Sequence, residues 1–412
     1  MADVPPDQDS GAGGTEFQTI EALRALGHQV DAVWANALPR RIGHGNLHYL
    51  LELPRAYRHA LLHRVASREY DVVCVNQPHG YLAAKAHAKL GLPSVFVHRS
   101  HGIELRAERD LQHWQRQYHS DSRTRSRKLL SGLVSLALAR HSWRVVEFAD
   151  GHLVSATEDA IFLREVMGVP AHRIGVVPQA PPDLFLEGAA PLMAPDRLRR
   201  ILHVGQYAFV KGPLVLSCAL RGILERRPDV AITWVAPRAA HVAIREVLGP
   251  GVAAAVRLLD WMPQRQLKEV YDGHGVFLLS SLCEGFGKVF LEAMARGLCV
   301  VATDVGGARD IIKDGLTGRL VPPGDSDRLR DASLAVVDDL PAAEAMAIRA
   351  AEAARGYTWS RTAREATAFF ERLLEVKRAA IWKRSGVTDP VARRGGDGHP
   401  DARARGTSRS IR

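Results

Sequence analysis

Apolar, β-branched stretches alternate with helix-like stretches along almost the whole chain, and this alternation leaves few folds open. Gln29–Ala35, Asp71–Asn76 and Ser94–His98 read as strands. A second series runs through Ile201–Gly205, Val230–Ala236, Val256–Trp261, Val276–Ser281, Cys299–Asp304 and Arg319–Val321, with helical stretches between. Thr15–Leu26, where Phe17, Ile20, Leu23 and Leu26 recur every three residues ahead of Gly27, reads as the first helix. Repeated strand–helix units imply parallel strands, because a parallel pair needs a crossover over the face of its sheet. At 412 residues the chain is long for a single core, and a proline-rich piece from Pro178 to Pro195 separates the two series. The expected fold class is therefore α/β. A first domain over residues 1–180, a linker over 181–198 and a second domain over 199–355 form two doubly wound units facing a cleft. Ligands in such sheets sit beyond the carboxyl ends of the strands.

The start of the chain fits this scheme poorly. Met1-Ala-Asp-Val-Pro-Pro-Asp leads directly into Gly11-Ala-Gly-Gly14, and a glycine turn ahead of a helix ordinarily follows a buried strand. Only Ala2–Val4 could serve, so the expectation is that the natural protein begins upstream of Met1, since a central strand cannot be absent without leaving unpaired edges. The hydrophobic content of 46% with 24% charged residues is that of a globular protein, and the longest apolar run, Leu129–Ala139, is too short to span a bilayer. No charged-then-apolar leader opens the chain. The four cysteines (Cys74, Cys218, Cys283, Cys299) are scattered, which fits reduced thiols in a cytoplasmic protein and gives no zinc framework.

The net charge of +10 is concentrated. Part of it lies in residues 379–412, where arginines mix with Gly, Asp and Pro without apolar periodicity, as in a disordered tail. Another part is the run Arg123-Thr-Arg-Ser-Arg-Lys128 ahead of Leu129–Leu138. No recognition motif or aromatic interleaving accompanies these arginines, so nucleic acid is not an expected partner. Weak contact with an anionic membrane surface at the inner face, or a plain solvated helix face, are the two readings of the run.

The densest chemistry lies between Ser280 and Gly307. After the strand ending at Ser281 comes Glu284-Gly-Phe-Gly-Lys-Val-Phe-Leu-Glu292, then Ala-Met-Ala-Arg-Gly297. Gly285 and Gly287 allow a tight turn and close approach to a ligand, and Phe286 lies between them. A helix is expected from near Gly287, whose first amides (Gly287, Lys288, Val289) point free into the cleft and, with the helix dipole, seat phosphate oxygens. Lys288 adds positive charge if turned inward. Glu292, on the second turn, can accept two hydrogen bonds from a ribose diol, and Glu284 can reach sugar hydroxyls beyond a diphosphate.

Across this stretch the sequence closely resembles family 4 of the retaining glycosyltransferases, which have the GT-B fold. The signature is a Glu, seven residues and a second Glu, in the context Glu-Gly-Phe-Gly and Glu-Ala-Met-Ala. Further matches are Gly297-Leu-Cys-Val-Val-Ala-Thr-Asp-Val-Gly-Gly307, Asp314-Gly-Leu-Thr-Gly318 and Leu320-Val-Pro-Pro-Gly-Asp325. The likeness runs to about Lys377 and is strongest from Ile201 to Asp325. His203-Val-Gly-Gln-Tyr-Ala-Phe-Val-Lys-Gly212 resembles the Gly-Arg…Lys-Gly element that binds the donor diphosphate: Lys211 matches, while Gln206 stands in the place of the Arg. His98-Arg-Ser-His-Gly-Ile-Glu104 resembles the His-Gly element facing the reacting sugar, with His101 the match. Gly13-Gly14-Thr15 resembles the glycine loop that lines the cleft. Val176-Val-Pro-Gln-Ala180 departs from the usual Pro-Asn-Gly element, a change expected to lie near the hinge and away from the chemistry. Tyr357-Thr-Trp-Ser360 and the helix after it resemble the closing segment (356–378) that crosses back to the first domain.

The resemblance implies transfer of a sugar from a nucleoside diphosphate to an acceptor hydroxyl, with retention at the anomeric carbon, no metal and no cofactor beyond the donor itself. It implies catalytic roles for His101, Glu284 and Lys211. Donor binding falls to Gly13, Gly14, Thr15, Gln206, Gly285, Phe286, Gly287, Lys288, Val289 and Glu292. A GT-B epimerase or phosphorylase would use the same cleft differently. A non-catalytic nucleotide-sugar-binding subunit is the other alternative, one that Gln206 and the short N-terminus favour slightly.

Overall fold

The computed structural model describes residues 1–118 and 125–385, without the side chains of 125–131 and 383–385. The first domain holds a four-stranded parallel sheet in the order β1 (Val72–Asn76), β2 (Val95–Arg99), β3 (Gly151–Val154), β4 (Ile174–Val176). The second holds six parallel strands: β5 (Arg200–Val204), β6 (Ala231–Val235), β7 (Val256–Leu259), β8 (Val276–Leu279), β9 (Cys299–Thr303) and β10 (Arg319–Val321). Their spatial order is β10-β9-β8-β5-β6-β7, so the direction of winding reverses between β5 and β8.

Short continuous apolar runs become strands covered on both faces. In the second domain Ile201, Ile232, Trp234 and Val276 pack to one side with Val215, Leu216 and Ile223 of the helix Pro213–Arg226. Leu202, Val204, Phe277 and Leu279 pack to the other with Phe290 and Leu291. The piece expected to be a linker contributes to this domain, because Phe185, Met193 and Leu198 enter its cores.

Three expectations for the first domain are corrected. Gln29–Ala35 joins no ladder, and Ala35 opens a 3-10 turn; toward the start of the chain Ala2 N donates to Val33 O (2.9 Å) and Ala35 N to Val4 O (3.1 Å). A cavity of about 140 Å³ lies between this segment and β1, lined by Ile20, Val30, Val33, Val72 and Cys74 among others. Strands β3 and β4 escaped the periodicity, being only four and three residues long. The first helix runs Gly11–Ala25, not from Thr15, so Gly13 and Gly14 lie in its first turn. There a Cβ would meet Ser10 Oγ at 2.4 Å and Gln8 O at 2.5 Å respectively.

The closing helix does cross back. It runs Trp359–Ser385, taking in the first residues of the expected tail. Its Ala366, Phe369, Phe370 and Leu373 pack on Val95, Val97 and Leu153 of the first sheet. Residues 386–412 of that tail lie outside the described residues, as does the start of the basic run; the remainder of that run opens the helix Arg125–Phe148, and its side chains are not described. Among the described residues no helix is long and apolar enough to cross a membrane.

The two domains touch backbone to backbone. Gly102, after β2, lies so close to Gly285, after β8, that a Cβ on Gly285 would stand 1.6 Å from His101 O. Around this contact Arg106 Nη2 donates to Glu284 O (2.5 Å), Trp114 Nε1 to Leu282 O (3.1 Å) and Tyr118 Oη to Gly324 O (3.0 Å). Arg106 is oriented by Asp159, 2.7 Å away and fully buried. On the far flank Glu158 accepts from Gly306 N (2.8 Å) and pairs with Arg309 (2.7 Å). Gly285→Ala is expected to force the domains apart, seen as a larger radius of gyration in small-angle scattering; an unchanged radius would refute the role of this contact.

Several buried histidines are held neutral. His98 is pushed down to about 4 by burial alone, and His87 and His203 also to about 4, burial being the largest cause in each. Unfolded, each takes a proton near 6.5, whereas the folded protein resists protonation down to about 4. The stability they contribute is present above the unfolded value and is lost as pH falls through this window, by about 1.4 kcal/mol per pH unit for each. With three acting together, the urea midpoint is expected to fall steeply between about pH 6.5 and 5. A flat midpoint over that range would contradict it.

Candidate functional site

The crevice left where the second sheet reverses is the place where an open parallel sheet binds ligands. Here it opens onto the first domain as a cavity of about 300 Å³. Its walls come from the loop after β5, the segments after β7 and β8, the loop and start of the helix Gly11–Ala25, and the residues following β2 and β4.

The loop after β5 brings Gly205, Gln206 and, at the end of a short 3-10 turn, Lys211. This loop is tied to the segment after β8: Leu282 N donates to Val210 O (2.7 Å) and Ser280 Oγ to Lys211 O (2.8 Å). Lys211 Nζ then lies 2.6 Å from Glu284 Oε1, which also accepts from Ser281 Oγ at 2.7 Å. Beneath them His203 gives a hydrogen bond through Nδ1 to Leu278 O (2.8 Å), turning Nε2 into an acceptor.

The expected helix begins at Val289, two residues later than the sequence suggested, and ends at Ala295. Its first bonds come from Phe290 N to Gly287 O (3.1 Å) and Leu291 N to Lys288 O (3.0 Å), so the amides of Gly287, Lys288 and Val289 precede the ladder. All three residues line the cavity. Glu292 consequently sits on the first turn, where it is buried and accepts from Tyr271 Oη at 3.0 Å. Burial raises the pKa of Glu292, with Lys288 and the Tyr271 hydroxyl acting against the shift. Burial lowers that of Lys288, which also lines the cavity, with Glu292 opposing. Lys211 thus contacts Glu284 directly, while Lys288 and Glu292 act on one another through their charges alone.

On the first-domain side His101 reaches the cavity from the end of β2, and its Nε2 lies 2.7 Å from Glu16 Oε1. Arg99 Nε is 3.2 Å from the same oxygen. Burial would raise the Glu16 carboxyl, but the charge of Arg99 and the hydrogen bonds of His101 and Asn76 outweigh it and hold the group down at about 2. His101 Nδ1 faces Gln179 Nε2 at 3.4 Å; Gln179 Oε1 in turn meets Thr15 Oγ1 at 3.2 Å.

Most of the residues singled out from the sequence therefore meet in one cavity: Thr15, His101, Gln206, Lys211, Glu284, Gly285, Phe286, Gly287, Lys288, Val289 and Glu292. Gly13 and Gly14 do not line it. The chain at Pro5–Gln8 crosses over them, and the amide of Gly14 is bonded to Ser10; Asp9, Ser10, Gly11 and Ala12 face the cavity in their place. Gln179 was expected near the hinge, yet it touches His101. Trp261 (42% exposed) and Gln264 were not anticipated, and they line the far wall. Gln264 Nε2 spans the cleft to Gln8 O at 2.6 Å. Glu16 could have been suspected only from its place beside Gly13-Gly14-Thr15, since its partners come from distant parts of the chain.

Residues 198–339 match the family model described as glycosyl transferases group 1. The chain is 31% identical over 259 residues to a D-inositol 3-phosphate glycosyltransferase of Nocardia farcinica, covering 59% of this chain and 56% of that protein. It is 34% identical over 175 residues to a phosphatidyl-myo-inositol mannosyltransferase of Mycolicibacterium smegmatis, covering 42% of this chain and 45% of the relative. The chain thus spans about half the length of the curated relatives it matches. Among solved structures, sucrose-phosphate synthase of Thermosynechococcus elongatus superposes with a TM-score of 0.71 at 18% identity, over 91% of this chain and 98% of the other. Anabaena HepE, solved in complex with UDP and glucose, superposes with a TM-score of 0.62 at 16% identity, over 90% and 98%. Residues 198–339 thus resemble the group 1 glycosyl transferases, and the chain that carries them has the GT-B fold.

Proposed function

We propose that this cleft transfers a sugar from a nucleoside diphosphate to an acceptor hydroxyl, with retention at the anomeric carbon and without a metal. The observation that carries the reading is the convergence, at the switch point of the second sheet, of Lys211, Lys288 and the amides of Gly287–Val289 on one cavity. Such fixed donors stabilise a departing diphosphate because they need no reorganisation as charge develops. The solved Anabaena relative held UDP, which makes uridine nucleotides the first donors to try. The named relatives act on inositol phosphates and phosphatidylinositol, so polyol hydroxyls are the first acceptors.

Glu284 is engaged by Lys211 and Ser281, which favours front-face attack over a covalent glycosyl-enzyme. In that scheme the acceptor oxygen bonds to the anomeric carbon as the bond to the diphosphate breaks, and the departing phosphate oxygen takes the acceptor proton. Glu292 would receive the ribose diol in exchange for Tyr271. Weak contact with anionic lipid is supported by Leu133, Leu136 and Trp143, which lie exposed near Arg140 and Arg144 on the helix Arg125–Phe148.

A panel of nucleotide sugars screened by thermal shift identifies the donor, and trial acceptors then give a transfer assay. Lys211→Ala and Glu292→Ala are each expected to lower transfer at least about tenfold. Wild-type rates in both would refute the site, and release of free sugar phosphate or an epimer without transfer would refute the reaction.

A further inference from the structure

We propose that the space between β1 and the segment 29–34 is the seat of one further parallel β-strand, which ends in Met1 and Ala2 and whose body is the chain immediately before Met1. The inference is independent of the transferase reading of the cleft.

The hydrogen bonds of Met1 and Ala2 are those of a strand end. Met1 N donates to Cys74 O at 2.7 Å, and Asn76 N donates to Met1 O at 2.9 Å. These two bonds, one residue to either side of Val75, are the slanted pair of a parallel ladder. On the opposite side Ala2 N donates to Val33 O at 2.9 Å. Successive residues that bond to different neighbours belong to a strand lying between the two.

The alternation of both neighbours shows how the ladder continues. Asp71 O accepts from Val95 N (2.8 Å) and Gln77 N donates to Arg99 O (2.9 Å), so the odd-numbered residues of β1 serve β2, and Val72 and Cys74 turn toward the gap. Val30 O is turned outward to Arg24 Nη2 (2.8 Å), which leaves Asp31 and Val33 facing inward. The second residue before Met1 then donates to Val72 O and accepts from Cys74 N. The residue directly before Met1 donates to Asp31 O and accepts from Val33 N. The cavity of about 140 Å³ occupies this space, and Ile20, Leu23 and Phe370 line it. A strand so covered calls for apolar, β-branched residues.

The Met1 nitrogen already stands where a strand amide belongs. Burial lowers the pKa of this amine, which donates to Cys74 O. Within a peptide bond the same nitrogen keeps that hydrogen bond and loses the charge that burial opposes. Beyond Ala2 the chain leads through Pro5–Gln8, over Gly13 and Gly14, to Asp9–Ala12 on the cleft, so a seated strand anchors that wall.

The test lengthens the chain at its N-terminus. The protein that starts at Met1 is compared with forms preceded by Met-Lys-Val-Ile-Val, by Met-Lys-Val-Pro-Val and by Met-Lys-Gly-Ser-Gly. In the Val-Ile-Val form, amide exchange read by mass spectrometry is expected to slow about tenfold or more over 29–35 and 72–76, with the melting temperature raised by about 5 °C. The Val-Pro-Val form lacks the N–H that Val72 O accepts, and it is expected to lose that protection, as is the Gly-Ser form. Exchange left unchanged at both segments by Val-Ile-Val, or slowed equally by the Gly-Ser form, would overturn the proposal whatever the melting temperature does. An in-frame stop codon directly upstream of Met1 would overturn the assignment of the preceding chain as the occupant.

Discussion

Parallel strands cannot be joined by tight turns, and everything in this molecule follows from that constraint. Each connection must pass over a face of the sheet, so every strand is covered twice and every loop at one edge points the same way. When the winding reverses between β5 and β8, the two loops leaving those strands separate and a crevice opens at their carboxyl ends. Lys211 leaves β5 and Glu284 leaves β8; they meet because the loops are cross-bonded at Val210–Leu282 and Lys211–Ser280. The ligand-binding apparatus is the seam of the sheet rather than an addition to it.

Within that seam the charges are balanced internally. Lys211 is paired with Glu284 and Arg99 with Glu16, beside His101, and the charge of Glu292 acts on Lys288. Buried charge without a partner costs several kcal/mol, so Glu16, Glu284 and Glu292 are tolerated inside the cleft because each has a cation acting on it. On the transferase reading proposed above, a diphosphate would meet Lys211 already paired, and its arrival would release Glu284 toward hydroxyl groups.

The second domain was legible in the sequence almost to the residue. Its strands are short apolar runs bounded by glycine or charge, and Arg319–Val321 begins and ends where the pattern does. The first domain was less so. His152 and Gly175 interrupt β3 and β4, and neither run is long enough to show a period. Gln29–Ala35 has the composition of a strand, but pairing is a property of its neighbours, and beside it lies a cavity. The same division holds in the site. Lys211, Glu284 and Glu292 sit in local patterns, whereas Glu16, Gln179 and Gln264 acquire their roles from partners that only the folded chain brings near. Gly13 and Gly14 show the converse: a correct local pattern whose reason is steric passage of the chain, with the cavity wall formed by the residues just before them.

The polypeptide passes between the domains twice, between Val177 and Phe185 and again at the start of the helix Trp359–Ser385. The two passages are side by side, since Thr362 Oγ1 donates to Pro178 O at 2.9 Å. A pair of adjacent covalent straps permits rotation about one axis and resists sliding or twisting, as the spine of a book does. On the reading proposed above, substrates would then enter from the fore-edge, past the Gln8–Gln264 contact, and the stiffness of the spine at Thr362 and Pro178 would bear on how fast they exchange.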